Sequence, residues 1–375
     1  MARLYLDHNA SCPLRAEARA AIVDVLDDGQ LGNPSSAHAD GRRARARLES
    51  AREELARVLD CGRDEVLFTS GGTESNALAL SAAPPDRAVL HAPIEHPSLL
   101  VPLAARPGAV ALAVDGEGRV DPDEPARHAA LRPALLTVAL ANHELGVVQD
   151  IRRLAAGARS AGMLVHCDAS QAAGRLPLSF RELGVDLMTV SAHKLGGPVG
   201  IGALIARSGA PLRALLRGGE QEAGLRAGTE AVALAAGFAA AAAAAWRELP
   251  QAAPRWLAWC LQLRERIARM EPDATFNSPA RGGLPNTLNV SFPGRPGSSL
   301  VHRLDLEEVS VSHGSACASG SLKPSPVLLA CGAGEDRARG ALRISVGPVN
   351  RPEDLVEFGV RLARVLSAVP PRALT

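Results

Sequence analysis

From about residue 64 to 206, short apolar and β-branched runs alternate with stretches whose apolar positions recur at helical spacing. Val66-Leu67-Phe68-Thr69 predicts a strand, and residues 73–80 the helix that follows it. Further strand-like runs fall at 88–90, 110–114, 135–140, 163–167, 187–190 and 202–205, and residues 151–161 have helical spacing. Strands alternating with helices predict an α/β fold, a mostly parallel seven-stranded-type sheet flanked by helices. Residues 230–247 then predict an alanine-rich helix, and Pro250 and Pro254 predict its end. Beyond them, 256–270 is helical in pattern, 286–292 and 341–346 are strand-like, and 352–366 closes with a helix. The division expected is an N-terminal segment (1–12) packing on the small domain, a large domain (13–250) and a smaller C-terminal α+β domain (251–375).

The bulk numbers narrow the function classes. At 375 residues the chain is long enough for two domains. Its 41 basic and 40 acidic residues leave a net charge of +1, which makes no electrostatic case for direct nucleic-acid binding or an anionic membrane. The alanine run ending at Ala245 is interrupted by Trp246-Arg247-Glu248, so it predicts a helix of a soluble domain and not a membrane span. The N-terminus meets Asp7 without an apolar signal core, and a cytoplasmic location is expected. Six cysteines, at 12, 61, 167, 260, 317 and 331, include no Cys-x-x-Cys pair, so no local metal motif is predicted.

Two lysines stand among 39 arginines, counting 41 basic residues less two. Lysine can deprotonate to a nucleophilic amine, whereas the guanidinium stays charged. Lys194 follows an apolar strand in Ser191-Ala192-His193-Lys194 and is a candidate Schiff-base former; an ordinary exposed lysine would read the same way. Thr69-Ser70-Gly71-Gly72-Thr73-Glu74-Ser75 lies where a strand gives way to a helix. Its glycines and free N–H groups suit a single phosphate, or equally a plain helix start capped by Thr73. Asp168 ends another apolar run, where a carboxylate can hold a protonated ring nitrogen or cap the next helix. Anion cradle, carboxylate and amine, each at a strand's C-terminal end, are the three partners that pyridoxal phosphate needs.

The ordered motifs then identify a resemblance. They are Tyr5-Leu6-Asp7-His8-Asn9-Ala10, Gly32-Asn33-Pro34-Ser35-Ser36, Phe68 to Asn76, Glu95-His96, Asn142-His143-Glu144-Leu145-Gly146, Asp168 to Gln171, Ser191 to Lys194, Arg226-Ala227-Gly228-Thr229-Glu230, Gly314-Ser315-Ala316-Cys317-Ala318-Ser319 and Leu342 to Gly347. In this order they resemble the cysteine desulfurases of the NifS/IscS type, within the class V aminotransferases of pyridoxal-phosphate fold type I. The resemblance implies that Lys194 carries the cofactor and that Asp168 faces its pyridinium nitrogen. Gln171 would bond its phenolic oxygen. Gly72, Thr73, Ser191 and His193 would hold its phosphate, joined by Thr229 from the other subunit of a homodimer. His96 resembles the ring-stacking histidine that moves protons, Arg343 the arginine that pairs with the substrate carboxylate, and Asn33 a border of the substrate pocket.

Cys317 separates a desulfurase from an aminotransferase. Its small, polar flanks predict a mobile loop, about 312–325, from which a thiolate reaches the substrate sulfur. The implied reaction turns L-cysteine into L-alanine and leaves a persulfide on Cys317 for an acceptor protein or thiol. Iron–sulfur cluster assembly, tRNA thiolation, DNA sulfur modification and a biosynthetic route are all compatible destinations. Selenocysteine lyase is the nearest alternative, followed by a class V aminotransferase or β-lyase in which Cys317 is incidental, and by a non-catalytic pyridoxal-phosphate protein. Two departures stand out: His143 where the family has a second asparagine, expected near the phenolic oxygen, and Glu220 where the family's loop has glycine.

Overall fold

The computed structural model describes residues 3–29, 31–314 and 323–369. Cys317 lies outside the described residues. Among the described residues twelve strands run in chain order: β1 (Leu4–Tyr5), β2 (Val66–Thr69), β3 (Val89–His91), β4 (Ala109–Ala111), β5 (Leu135–Ala139), β6 (Leu164–Asp168), β7 (Leu187–Ser191), β8 (Gly202–Ala206), β9 (Thr275–Phe276), β10 (Thr287–Ser291), β11 (Val309–Ser310) and β12 (Ala341–Ser345).

Seven of them form one sheet in the order β2-β8-β7-β6-β5-β3-β4. β8 is antiparallel to both neighbours and every other pairing is parallel. β5, β6, β7 and β8 are buried along nearly their whole length because helices cover both sides, which explains why their sequences are mainly apolar runs with a few internally bonded polar residues and not a regular apolar–polar alternation. The parallel arrangement brings the C-terminal ends of β5, β6 and β7 to one edge, with the start of the helix Gly72–Leu80 beside them. β10 pairs antiparallel with β9 and β12 in a second sheet, and β1 pairs in parallel with β11.

The break expected at Pro250 and Pro254 is not seen. One helix, Val232–Met270, runs for 39 residues through both prolines. Each interior proline forfeits a backbone bond and costs about 3 kcal/mol. The apolar stripe nevertheless continues unbroken through Ala245, Leu249, Ala252, Trp256, Trp259, Leu263 and Ile267, all buried. Burying each large apolar side chain returns about 1.5–3 kcal/mol, so the seam outweighs the two prolines. The helix's first half packs on the helices Ala16–Asp27 and Ala39–Leu59 within the hydrophobic core over the main sheet. Its second half joins a separate core made by Leu4, Leu6, Val290, Phe292, Leu342, Ile344 and Phe358.

One buried ion pair closes the sheet's outer side. Arg52 NH1 and NH2 each donate to Glu222, at 2.8 and 2.7 Å, and Glu222 also accepts from the β2 amide of Phe68 at 2.9 Å. Glu222 and Ala223 have φ of 47° and 57°, the left-handed region that glycine tolerates best, and the two-pronged pair holds that turn. We predict that Glu222→Ala, which leaves the Phe68 amide without its acceptor and Arg52 with only Glu49 at 3.4 Å and the Val66 carbonyl, costs about 3–5 kcal/mol. Removing the exposed partner Glu182 from Arg152 costs at most about 1 kcal/mol. Urea denaturation midpoints of the two variants check the contrast.

Candidate active site

A cavity of about 210 Å³ opens at the C-terminal ends of β5, β6 and β7. It is lined by Gly72, Thr73, Asn76, His96, His143 and Asp168, together with Gln171, Ser191, His193 and Lys194. Ten residues widely separated in sequence thus meet in one place.

Lys194 stands on the tight turn Ala192–Lys194 directly after β7. Its Nζ donates to the carbonyls of Asn9 and Ala10 at 2.7 and 2.9 Å, so the N-terminal segment aims it. Asp168 ends β6, and its Oδ1 accepts from the Ser170 amide at 2.9 Å. Its Oδ2 accepts from Asn76 Nδ2 at 2.8 Å, and Asn76 donates as well to Ser98 Oγ. Gly71, at φ 153°, makes the backbone turn that starts the helix Gly72–Leu80 at the cavity wall. The first amides of that helix lack intrahelical acceptors and face an anion favourably. A Cβ placed on Gly72 would stand 3.3 Å from Ser170 Oγ and 3.4 Å from Ser191 Cβ, so glycine is what keeps this cradle open.

The histidines are set by burial. His96 Nδ1 accepts from the Ser98 amide at 3.1 Å, which places the neutral ring's proton on Nε2. Burial lowers its pKa, with Asp168 opposing and Lys194 assisting. His193 is lowered to about 4, by burial first and then by Lys194, Arg175 and His96, and its Nδ1 lies 3.2 Å from Ser11 Oγ. His143 packs edge-on against His96, ring centroids 5.4 Å apart. Burial, helped by His96, Arg343 and Lys194, holds it well below the usual histidine range.

Gln171 shows how orientation is fixed. Arg175 NH1 donates to its Oε1 at 2.8 Å, so the amide must present Nε2 the other way. Nε2 donates to the Asn9 carbonyl at 3.0 Å, and its second hydrogen remains for the cavity.

Three expected residues lie elsewhere. Thr229 does not line this cavity of its own chain; with Gly32 and Pro34 it lines a separate surface cleft of about 430 Å³. Asn33 is exposed, its side chain accepting from the Ser35 amide. Arg343, on β12, is 1 % exposed, with NH2 on Asp7 Oδ1 at 2.7 Å and NH1 on the His143 carbonyl at 2.9 Å. Glu220 is exposed and does not line the cavity.

Asn76, Arg175 and the Asn9 and Ala10 carbonyls carry no role in the sequence reading. Asn76 had a legible signal: four residues after Gly72, it stands on the cavity side of a one-turn-longer helix face. Carbonyl contacts leave no residue-type signal at all.

The residues present fit pyridoxal phosphate. The open cradle at Gly72 suits its phosphate, the Asp168 carboxylate a protonated ring nitrogen and the Lys194 amine its aldehyde, and the buried, unpartnered Asn76 Oδ1 marks a polar wall built for a ligand. The Aminotransferase class-V family pattern matches residues 4–358.

The chain belongs to the class V aminotransferase family, among its cysteine desulfurases.

It is 38% identical to the cysteine desulfurase IscS of Dictyoglomus turgidum over 94% of this chain and 91% of that protein. The NifS-like protein of Rickettsia africae superposes with a TM-score of 0.90 at 29% identity, covering 97% of this chain and 99% of the other. SspA in complex with cysteine superposes at 0.79, with 29% identity and 93% of this chain covered. The family is pyridoxal-phosphate-dependent. These likenesses accord with the α/β fold with its mostly parallel, helix-flanked sheet.

Arg175 gives this site its sharpest test. Arg175→Met removes the donor that orients Gln171 and leaves the Lys194 and His8 carbonyls without it. We predict at least about tenfold weaker cofactor retention, since a lost charge-assisted bond of about 1.5–3 kcal/mol is one to two decades. Spectrophotometric titration of cofactor into the stripped protein measures it.

Proposed function

We propose that this chain is a pyridoxal-phosphate-dependent cysteine desulfurase that converts L-cysteine to L-alanine, the sulfur leaving as a persulfide on Cys317. The observation that carries the reading is the convergence of Lys194, Asp168 and the Gly72 cradle in one cavity at the strand ends. The cofactor, when bound, supplies an electron sink conjugated to the substrate α-carbon.

The protein's own groups do the rest. Lys194 would hold the cofactor aldehyde and, once released by the substrate amine, act as a base at the α-carbon. Its two backbone acceptors hold the free Nζ at the cavity wall. Asp168, fixed by Asn76 and the Ser170 amide, would keep the ring nitrogen protonated. Gly72, Thr73, Ser191 and His193 would hold the phosphate. His193 would do so as a neutral donor, because its pKa of about 4 leaves it uncharged near neutrality. His96 would carry its transferable proton on Nε2. Arg343 would meet the substrate carboxylate in competition with Asp7.

The sulfur step balances without an added oxidant. The Cys317 thiolate attacks the substrate sulfur, an S–S bond forms as the Cβ–S bond breaks, and the carbon takes up one proton. L-cysteine and a thiol become L-alanine and a persulfide. We also propose a homodimer, in which the Thr229 cleft faces the partner's cofactor phosphate, and a downstream acceptor protein or thiol for the sulfur.

Incubation with L-cysteine is expected to yield L-alanine and a persulfide on the Cys317 peptide by mass spectrometry. Cys317→Ala should retain the cofactor's visible absorbance and lose alanine formation. Undiminished turnover in that variant would overturn the persulfide step, and pyruvate in place of alanine would point to a β-lyase.

A further inference from the structure

Where the resembled family carries asparagine, this chain places a histidine whose far side is backed by a buried acid. His143 lines the cavity, but its Nε2 is buried and without a hydrogen-bond partner. It lies 3.7 Å from Glu144 Oε1, which is also buried and unpartnered. Asn142 Oδ1 accepts from the amides of Glu144 and Leu145 at 2.9 and 2.8 Å, a turn that locks the backbone between the two side chains.

The other oxygen of Glu144 is already assigned. Ser325 Oγ accepts from the Leu328 amide and donates its own hydrogen to Glu144 Oε2, at 2.6 Å. A proton on Glu144 must then sit on Oε1, the oxygen aimed at His143. One proton fits between Oε1 and Nε2, and both atoms are orphaned without it. At 3.7 Å the pair is about 0.8 Å longer than a formed bond, as resting catalytic contacts often are.

We infer that His143 and Glu144 form a one-proton dyad that donates a proton into the cavity, His143 giving up Nδ1–H while the Glu144 proton passes from Oε1 to Nε2. The bonds broken are His143 Nδ1–H and Glu144 Oε1–H; those formed are the acceptor's bond to hydrogen and His143 Nε2–H. The imidazole stays neutral throughout, and the charge left behind is a Glu144 carboxylate.

The surroundings favour this direction. Facing His143 are His96, ahead of the helix Pro97–Ala104, Lys194 after β7, and Arg343 on β12, itself paired with Asp7. All three neighbours oppose a cation on His143. Burial raises the Glu144 pKa and so favours the protonated acid, while Ser325 and Arg343 stabilise the carboxylate once the proton has gone. The inference rests on the desulfurase reading for its acceptor, the substrate carbon that must gain a proton as its bond to sulfur breaks.

Two measurements test it. In the cofactor-free full chain, nitrogen-15 NMR of the histidine rings, assigned with His143→Asn, is expected to show His143 neutral and protonated at Nδ1 at about pH 6, below the ordinary midpoint of about 6.5. In the cofactor-loaded enzyme, Glu144→Gln keeps the shape but has no transferable proton. It should lower kcat for alanine formation about a hundredfold with KM nearly unchanged. His143→Asn should lose a similar amount, and the double variant no more than either single one, since both remove the same relay. An Nε2–H tautomer or an imidazolium at His143, or both single variants within about twofold of the unaltered chain, would overturn the dyad. The expected tautomer in a chain that makes no alanine would support the dyad and refute the desulfurase reading instead.

Discussion

The site depends on one buried guanidinium. Arg175 is 3 % exposed and donates to four oxygens: the Gln171 carbonyl and Oε1, the His8 carbonyl and the Lys194 carbonyl. Those four belong to the turn after β6, the N-terminal segment and the turn after β7, which otherwise share no covalent neighbourhood. Burial lowers its pKa to about 10, so it remains charged near neutrality. Its charge is balanced by carbonyl dipoles and not by a carboxylate. That choice leaves Asp168, one turn away, to serve the cavity. A carboxylate partner for Arg175 would have been one more anion beside the cofactor's ring nitrogen.

The same economy governs the histidines. His96, His143 and His193 all line a cavity that holds Lys194, and burial lowers the pKa of each. Below it, His166 is fully buried between Thr137 Oγ1 and Thr189 Oγ1, at 2.8 and 3.0 Å, and is lowered to about 4. Neutral imidazoles supply directed donors without adding positive charge that would compete with a protonated cofactor ring. The anion cradle works through helix amides for the same reason, with Glu74 turned away onto the Ser70 amide and Arg226.

Much of this was legible in the chain. β2 was placed to the residue, and the other strands of the seven-stranded sheet to within a residue or two except β4, where the run 110–114 gave way to Ala109–Ala111 and a separate bridge from Val114 to Val120; the two-residue strands β1, β9 and β11 were not foreseen. Continuous apolar runs between turn residues are a strong signal when both faces are buried. Lys194 was legible because lysine is rare in this chain, and Asp168 and Gly72 because a carboxylate and a glycine pair stood at strand ends. The N-terminal helices Ala16–Asp27 and Ala39–Leu59 were not; the arginine- and glutamate-rich surface of the second leaves only a narrow apolar stripe. Contacts made by backbone carbonyls, such as Asn9 to Lys194, have no sequence signature. Arg343 was singled out for a carboxylate and does hold one, that of Asp7. Residue type specifies the chemistry of the partner but not which chain segment supplies it.

The uninterrupted helix Val232–Met270 shows why two prolines failed as a helix-end signal and what their tolerance achieves. A break there would have left two cores joined by a hinge. A helix whose buried stripe passes from Ala245 to Trp256 without a gap ties both cores to one rigid axis. Asp7 and Arg343 come from the segments around the second core, whereas Asp168 ends a strand of the first sheet and Lys194 stands on the turn after another. Groups on the two sides can hold atomic distances only if the cores keep a fixed relation. The Arg343 contact to the His143 carbonyl, at 2.9 Å, crosses that junction. A catalytic pair is only as precise as the scaffold between its members, and here that scaffold is a helix the proline rule would have cut in two.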